Sequence, residues 1–366
     1  MTQPAPPMGL IAELTHRCPL QCAYCSNPLQ MDAPKTELST DDWRHVLDQA
    51  AAIGILQVHF SGGEPMARRD LPELVAHASR AGLYTNIITS GVLLTDEAMA
   101  ALLAGGIDHI QLSFQDATHD GGDRFGGYRG GHEKKLAAAR RIREAGLPLT
   151  ANFVIHKQNI ERVEAMIALG ETLEAERMEI AHTQYYGWAL LNRNALLPSR
   201  EQLDYVNAVV EAARARLKGR IAIDYVVPDY YASRPKACMG GWGNRFINIS
   251  PSGKTLPCHA AETLPGFTFP SVRETSLRDI WQASDAFTRF RGTDWMPEPC
   301  RACDRREIDW GGCRCQALAM TGDVGRTDPA CHRAPDHDLM AQAVVEADAE
   351  TVLDLVPRRL HQAAHD

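Results

Sequence analysis

Short apolar runs alternate with longer amphipathic stretches through the first two-thirds of the chain. The apolar runs predict β-strands at 9–15, 56–60, 84–90, 108–114, 147–155 and 177–186. The stretches between and after them predict helices at about 39–54, 70–81, 95–104, 133–145, 159–171 and 199–217, with a glycine-rich loop at 119–131. Strands that alternate with helices form parallel sheets, so we expect an α/β fold, a partial (β/α)6 TIM-like barrel over residues 9–220.

The pattern changes after about residue 220. Residues 221–227 resemble a strand outside the alternation, and 246–258 predict a hairpin with a turn at 251–253. The remainder of 221–335 is rich in loops, so bound metal clusters would have to supply its order. Helical spacing at 336–366, which includes Val352 and Leu353, predicts a packed helix or a mobile tail, and the proline-rich residues 1–8 predict a flexible N-terminus.

Polar residues and glycines lie at or just after the ends of the predicted strands, except that Asn152 lies on the fifth strand itself. In β/α barrels the working residues lie at the carboxyl ends of the strands, where they share one rim. This rim would hold a cysteine-rich loop after the first strand and then, in chain order, Ser61 to Pro65, Thr89 to Gly91, Ser113 and Gln115, Asn152, and Gln184 to Trp188.

Composition narrows the classes of protein that need to be considered. The formal net charge of -8 argues against general nucleic-acid binding, and no apolar run is long enough to span a membrane. The first residues lack the basic and apolar regions of a signal peptide. We therefore expect a cytoplasmic protein, whose thiols stay reduced.

The ten cysteines fall into two separate groups, which favours metal binding over disulfides. Cys18, Cys22 and Cys25 form the first group, and three thiolates can hold three irons of a four-iron cluster while the fourth iron stays open. Zinc would need a fourth ligand. Pro19 and Pro28 disfavour the regular helix that three buried core thiols would require. The second group comprises Cys238, Cys258, Cys300, Cys303, Cys313, Cys315 and Cys331.

The first group resembles the radical S-adenosylmethionine (SAM) superfamily. The resemblance rests on the C-x3-C-x2-C spacing, Tyr24 before the last cysteine, and Gly62-Gly63-Glu64-Pro65 after the second strand. It implies a [4Fe-4S] cluster on Cys18, Cys22 and Cys25 that binds SAM and cleaves it to a 5′-deoxyadenosyl radical. It also implies SAM-binding roles for Tyr24, Gly62, Gly63, Glu64, Pro65, Ser90, Ser113, Gln115 and Asn152. For Ser90, Ser113, Gln115 and Asn152, an ordinary hydrogen bond at a strand end is the alternative.

The second group resembles the SPASM domain of peptide-modifying radical SAM enzymes, which would span residues 221–335 and hold two auxiliary iron–sulfur clusters (4Fe-4S or 2Fe-2S). Asp309 stands where the domain's central motif has a cysteine, and Cys315 is additional. The resemblance implies one cluster on Cys238, Cys258, Cys313 and Cys315, and a second on Cys300, Cys303, Asp309 and Cys331. His259 and His332 compete with Asp309 as the eighth cluster ligand. Asp309 could instead be a solvated loop carboxylate. A zinc ribbon formed by the closely spaced cysteines also stays open.

A narrower resemblance, to the peptide cyclases of pyrroloquinoline quinone (PQQ) biosynthesis, lies in residues 13–15, 18–29, 184–193 and 300–315. It implies an oxidoreductase that joins a glutamate Cγ to a tyrosine ring carbon in the precursor peptide PqqA. The peptide chaperone PqqD and an external flavodoxin-like or ferredoxin-like electron donor would be its partners, and neither nucleic acid nor a membrane is expected.

The remaining candidates concern the peptide. His259 is the candidate base, and Tyr185, Tyr186, Trp188 and Arg193 are candidates for substrate binding, with core packing or surface solvation as the alternatives. Two other functions stay open at this point. One is a different SPASM peptide maturase that forms thioethers or formylglycine, and the other is a non-catalytic, zinc-stabilised binding module.

Overall fold

One nine-stranded sheet organises the protein, whose computed structural model describes residues 4–350 and 354–359. The strands lie in the order β7-β6-β5-β4-β3-β2-β1-β8-β9, and all neighbours are parallel except β8 and β9. The sheet is therefore open and barrel-like, and the predicted α/β architecture is confirmed. The strands are β1 (Gly9–Thr15), β2 (Gln57–Gly62), β3 (Tyr84–Thr89), β4 (His109–Phe114), β5 (Leu149–Ile155), β6 (Arg177–His182), β7 (Ala222–Val226), β8 (Phe246–Ile249) and β9 (Thr255–Leu256).

Helices connect the parallel strands and begin at residues that suit helix starts. Ser39 and Ser199 each form a reciprocal capping box with the residue three positions on, and Thr95 accepts a hydrogen bond from Ala98 N. The helices are α1 (Thr40–Ala52), α2 (Leu71–Arg80), α3 (Asp96–Gly105), α4 (His119–Gly126), α5 (Gly131–Glu144), α6 (Val163–Thr172), α7 (Gly187–Leu191), α8 (Arg193–Leu196), α9 (Arg200–Leu217), α10 (Leu277–Ala283), α11 (Asp285–Thr288), α12 (Arg306–Asp309), α13 (Arg314–Thr321) and α14 (Asp338–Ala349).

Two local predictions were wrong. The expected loop at 119–131 contains helix α4, which Thr118 caps through Gly121 N. Its glycines allow close packing, since a Cβ at Gly122 would lie 2.7 Å from His132 Nδ1. The sixth strand ends at His182 instead of 186, and the chain then turns into α7.

The predicted boundary at residue 220 does not coincide with a break in the sheet. β7 continues the sheet beside β6, and β8 of the predicted hairpin lies parallel to β1 on the other side. The loop-rich region is thus joined to both sides of the sheet formed by β1 to β6.

Residues near the start of the described chain are fixed by hydrogen bonds. Met8 N donates to Arg245 O at 2.7 Å, and Trp281 Nε1 donates to Ala5 O at 3.0 Å. The predicted C-terminal helix is α14, while Val352 and Leu353 lie outside the described residues. None of the helices in residues 4–350 and 354–359 is long and apolar enough to cross a membrane.

Candidate active site

A cavity of about 260 Å³ opens at the carboxyl ends of the parallel strands. It lies where the sequence predicts the working rim, because buried parallel strands end at a common edge. Its walls bring together residues from the cysteine loop, from the ends of β2 to β6 and from the C-terminal segment. Predicted residues in these walls are Cys18, Cys22, Tyr24, Cys25, Gly62, Gly63, Ser90, Ser113 and Gln115.

The three half-buried thiols of the cysteine loop (residues 16–32) lie close to one another. Burial raises the pKa of Cys18 to about 12 and that of Cys22 to about 11, and each neighbouring thiol raises them further. Arg358 opposes this rise at both sulfurs, and Lys135 opposes it at Cys22. Clustered thiols of this kind can bind a metal centre, because the metal replaces their protons and balances the negative charge of the thiolates.

The glycines after β2 hold the start of the cysteine loop. Gly63 N donates to Thr15 O at 2.6 Å, and Glu64 N donates to Arg17 O at 2.8 Å. A Cβ at Gly63 would lie 2.6 Å from two carbonyl oxygens, those of His16 and Arg17. Glycine is required here because one strand-end backbone packs directly on another.

We expect Gly63→Ala to lower the free energy of unfolding by about 1–3 kcal/mol, because the added methyl group has only backbone to displace. The cysteine loop would move, so the variant should also take up less iron on reconstitution. Denaturant unfolding and iron analysis measure the two effects. Gly325→Ala is the control, since its Cβ meets only the side chain of Asp323, at 3.3 Å, and should change stability by less than about 0.5 kcal/mol. Equal stability of the two variants would contradict the prediction.

Three predicted SAM-binding residues do not line the cavity. The fully buried carboxylate of Glu64 accepts from Thr89 Oγ1 at 2.6 Å and from Ser90 N at 2.8 Å, so it positions the end of β3. Pro65 begins a short 3-10 turn, and Asn152 Nδ2 donates to Glu179 Oε2 at 2.7 Å. These residues stabilise the strand ends around the cavity without lining it.

Polar atoms in the cavity wall remain available for a bound group. Gln115 is 3% exposed, and its Oε1 has no hydrogen-bond partner among the described residues. Buried amide oxygens without partners are costly, so this atom fits a ligand that brings a hydroxyl or amine donor. Lys135, which sequence reasoning missed, donates from α5 to Ser90 O and Ser113 O and brings a positive charge behind Cys22.

Four of the seven later cysteines meet as the resemblance implies. Cys258 Sγ lies 3.9 Å from Cys315 Sγ. The neighbouring thiols of Cys238 and Cys315 hold the pKa of Cys313 well below its usual value. Tyr186 Oη also lies 3.1 Å from Cys313 Sγ. The four sulfurs therefore form one compact set.

The other ligand set lines a separate small cavity that contains Cys300, Cys303, Asp309 and Cys331. Asp309 is 6% exposed, so a freely solvated carboxylate does not describe it. The competing ligands lie elsewhere, because His332 Nδ1 contacts Ser233 O and His259 lines a different cavity.

Within the described residues, no three His, Cys, Asp or Glu side chains converge closely enough to hold a single metal ion.

Two buried charged residues between these sets were missed by sequence reasoning. Asp328 accepts from Cys313 N at 2.6 Å and from Gln316 Nε2 at 2.8 Å, and burial raises its pKa to about 6. Arg314 is 1% exposed, donates to the carbonyls of Gly311, Val324 and Arg326, and lies 4.6 Å from the ring of Trp295. No sequence motif distinguishes either residue from a surface charge.

A second cavity, of about 540 Å³, separates the cysteine loop from the first later cysteine set. Ser26 lines both cavities, and Cys315 and His259 line the second. Of the four residues predicted to bind substrate, only Tyr186 lies in a wall of this second cavity. Its ring lies 6.1 Å from that of His259.

The other three predicted substrate residues have different roles. Tyr185 packs against Tyr230 with ring centroids 5.1 Å apart in a small core, and Trp188 is 1% exposed. Arg193 Nη2 pairs with Glu346 Oε2 of α14 at 2.8 Å. The structure thus favours the packing alternative for both aromatic residues and an ion pair for the arginine.

Comparison with known proteins agrees with this arrangement. The radical SAM superfamily matches residues 12–170, and the iron–sulfur cluster-binding SPASM domain matches residues 238–304. The fold is similar to that of Streptococcus suis SuiB bound to S-adenosylmethionine, with a TM-score of 0.73 and 19% identity over 91% of this chain and 77% of that one. It is also similar to anSMEcpe with bound AdoMet, with a TM-score of 0.65 and 13% identity over 94% of this chain and 96% of that one.

The chain is therefore a radical SAM enzyme with a SPASM domain, the two parts that provide for a SAM-binding iron–sulfur cluster and for auxiliary clusters. A PqqA peptide cyclase of Granulibacter bethesdensis is 63% identical over 98% of this chain and 96% of its own length. Another, of Gluconobacter oxydans, is 60% identical over 94% of this chain and 96% of its own length. At this similarity the chain belongs to the family of PqqA peptide cyclases.

Proposed function

We propose that this enzyme joins a glutamate Cγ to a tyrosine ring carbon within the precursor peptide PqqA, the first step of PQQ biosynthesis. The observation that carries the proposal is the 63% identity with a PqqA peptide cyclase over nearly the full length of both chains. Two cavities that share Ser26 in their walls support it, since one is lined by the three thiols of the cysteine loop and the other by Cys315 of the first later cysteine set.

The first cavity suits a [4Fe-4S] cluster on Cys18, Cys22 and Cys25 with SAM beside it. When bound, this pair supplies a 5′-deoxyadenosyl radical that removes a hydrogen atom from the peptide. The residues of the chain position the bound groups and keep water away from the radical. Gln115 offers an unpaired acceptor, the glycines of 62–63 fix the loop, and Ile88 and Val154 in the wall help to exclude water.

The second cavity suits the peptide, because it lies between the SAM site and the first auxiliary set. Forming a C–C bond from two C–H groups removes two electrons and two protons from the peptide. The radical takes one hydrogen, so one electron and one proton must still leave. The auxiliary site at Cys313 and Cys315 suits the electron, and His259, whose buried Nε2 has no partner among the described residues, is the candidate acceptor for the proton.

The proposed setting follows from the same family. The chaperone PqqD would present the peptide, and a flavodoxin-like or ferredoxin-like protein would supply the first electron, in the cytoplasm. The auxiliary clusters would occupy the two ligand sets described above, as 4Fe-4S or 2Fe-2S centres within the 221–335 SPASM region.

An anaerobic assay tests the function directly. Reconstituted enzyme is incubated with PqqA, PqqD, SAM and a reductant, and the peptide is analysed by tandem mass spectrometry. We expect a product lighter by two hydrogens, in which the glutamate and tyrosine stay linked on fragmentation. A thioether, a formylglycine or an unmodified peptide alongside cleaved SAM would overturn the proposal.

We expect Tyr186→Phe to make the potential of the first auxiliary centre more negative. The phenol is placed to donate a hydrogen bond to Cys313 sulfur, and such bonds stabilise the added electron of a reduced cluster. An EPR-monitored redox titration measures the shift. Tyr185→Phe is the matched control, because Tyr185 packs in the apolar core and should leave the potential unchanged. The same potential in the wild type and the Tyr186 variant would contradict the assignment.

A further inference from the structure

The segment that follows α14, residues 354–359, lies on the cysteine loop and is held there by backbone hydrogen bonds. Val356 N donates to Asn192 Oδ1 at 2.7 Å, and Val356 O accepts from Asn192 Nδ2 at 2.9 Å. Two residues further on, Arg358 N donates to Gln21 O at 3.2 Å. The segment is therefore fixed at two points, one of them within the cysteine loop itself.

Asn192 ties this segment to the SAM site. Its Nδ2 also donates to Ala23 O, between two of the cluster cysteines, and to Trp188 O of α7, both at 2.9 Å. The side chain is 5% exposed, so these bonds do not compete with bulk water. One buried amide thus joins the cysteine loop, α7 and the segment 354–359.

The Arg358 side chain enters the cavity wall beside the three cysteines. It is 2% exposed and lines the cavity together with Cys18, Cys22 and Cys25. Its Nη2 donates to His16 O and lies 3.2 Å from Met31 Sδ, while its buried Nε has no hydrogen-bond partner among the described residues. A buried guanidinium bound mainly to neutral groups is costly unless an anion completes its environment.

The cluster thiolates are the anions that fit this position. Arg358 lines the same cavity wall as all three cysteines, and its Nη2 donates to His16 O at the start of the loop that carries them. The buried acids at the strand ends already have partners. Glu64 accepts from Thr89 and Ser90. Asp116 pairs with Arg162, and Glu13 Oε2 lies 3.9 Å from His16 Nε2. The unmatched positive charge therefore faces the sulfurs.

We propose that Arg358 is a positioning residue of the SAM site, which sets the redox potential of the cluster by placing a fixed positive charge against its thiolates. A nearby cation stabilises the reduced cluster, which carries one more negative charge, and so raises its potential. The hydrogen bond to His16 O keeps the cation and the cysteine loop together. The inference rests on the proposed cluster site and does not depend on the identity of the peptide.

The test compares Arg358→Gln, Arg358→Lys and the neighbouring exposed Arg359→Gln as full-length, anaerobically reconstituted proteins. An EPR-monitored redox titration without SAM gives the potential of the cluster, and equilibrium binding gives the Kd for SAM. We expect a more negative potential for Arg358→Gln only, partial or full restoration in Arg358→Lys, and a Kd for SAM that changes less than about threefold.

Each of the other possible outcomes supports or overturns the proposed role of Arg358. Loss of the cluster in Arg358→Gln alone would also support a required cation, whereas loss in both Arg358 variants would show a steric role and overturn the proposal. An unchanged potential with weakened SAM binding would assign Arg358 to the SAM carboxylate instead. Failure of the peptide assay with a shifted potential would refute the proposed substrate and leave this inference standing.

Discussion

Replacement of Cys22 by alanine is expected to reduce SAM cleavage to background while leaving the auxiliary iron–sulfur centres in place. Cys22 lies in the cavity wall between Cys18 and Cys25, and two thiolates cannot replace a three-thiolate site with one open iron. Iron per chain should fall by about four atoms if the site holds a [4Fe-4S] cluster. Iron and sulfide analysis, EPR spectra and chromatographic assay of 5′-deoxyadenosine measure these effects.

The reciprocal variant is Cys303→Ala, which removes a predicted cluster ligand from the wall of the other cavity. It should lose an auxiliary centre and retain SAM cleavage with an artificial reductant, because the cysteine loop is held by the barrel instead. Gln21 N, for example, donates to Gly126 O at 2.7 Å. Retained SAM cleavage in the Cys22 variant, or loss of every centre in both variants, would contradict the separation of the sites.

The parts of the fold that the sequence predicts are those with strong local patterns. Buried parallel strands are nearly continuous apolar runs, and capped helices such as α1 and α9 begin at serines with the right partner three residues on. Spacing also predicts Cys18, Cys22 and Cys25 as metal ligands, because metal sites constrain residues that are close in the chain, and the three thiols do line one cavity. Their convergence on one rim then follows from the geometry of parallel strands.

The parts that were missed depend on contacts between distant residues. α4 has three glycines in eight residues, so its propensity indicates a loop. Close packing against Asp116 and His132 explains two of them, Gly121 and Gly122. Arg358 lies far from the cysteine loop in sequence and in no motif, yet it lies in the cavity wall. Tyr185 and Trp188 were assigned to a strand end, but the turn after His182 directs them into packed cores.

Substitution of Asp309 is the second change with a large expected effect. Asp309 stands in the place of a cysteine in the set of four predicted ligands that lines the smaller cavity. Asp309→Asn should lose the second auxiliary centre, since a neutral amide is a poor ligand for iron, while Asp309→Cys should keep the iron with an altered EPR spectrum and a more negative potential. A thiolate donates more electron density to iron than a carboxylate oxygen does. Iron analysis and redox titration of both variants measure the difference.

The structure also supplies the competing role for Asp309, which these variants separate. Its Oδ1 accepts from Gly311 N at 3.2 Å, so the carboxylate could merely stabilise the turn that leads to Cys313. Asparagine keeps that acceptor but loses the charge, whereas cysteine keeps an anionic ligand and loses the oxygen. If Asp309→Asn retained the centre with an unchanged potential while Asp309→Cys lost it, the turn would be the whole role. The opposite pattern would support a bond from this aspartate to iron. An unchanged centre in Arg305→Gln would separate that role from the 3.6 Å ion pair between Asp309 and Arg305.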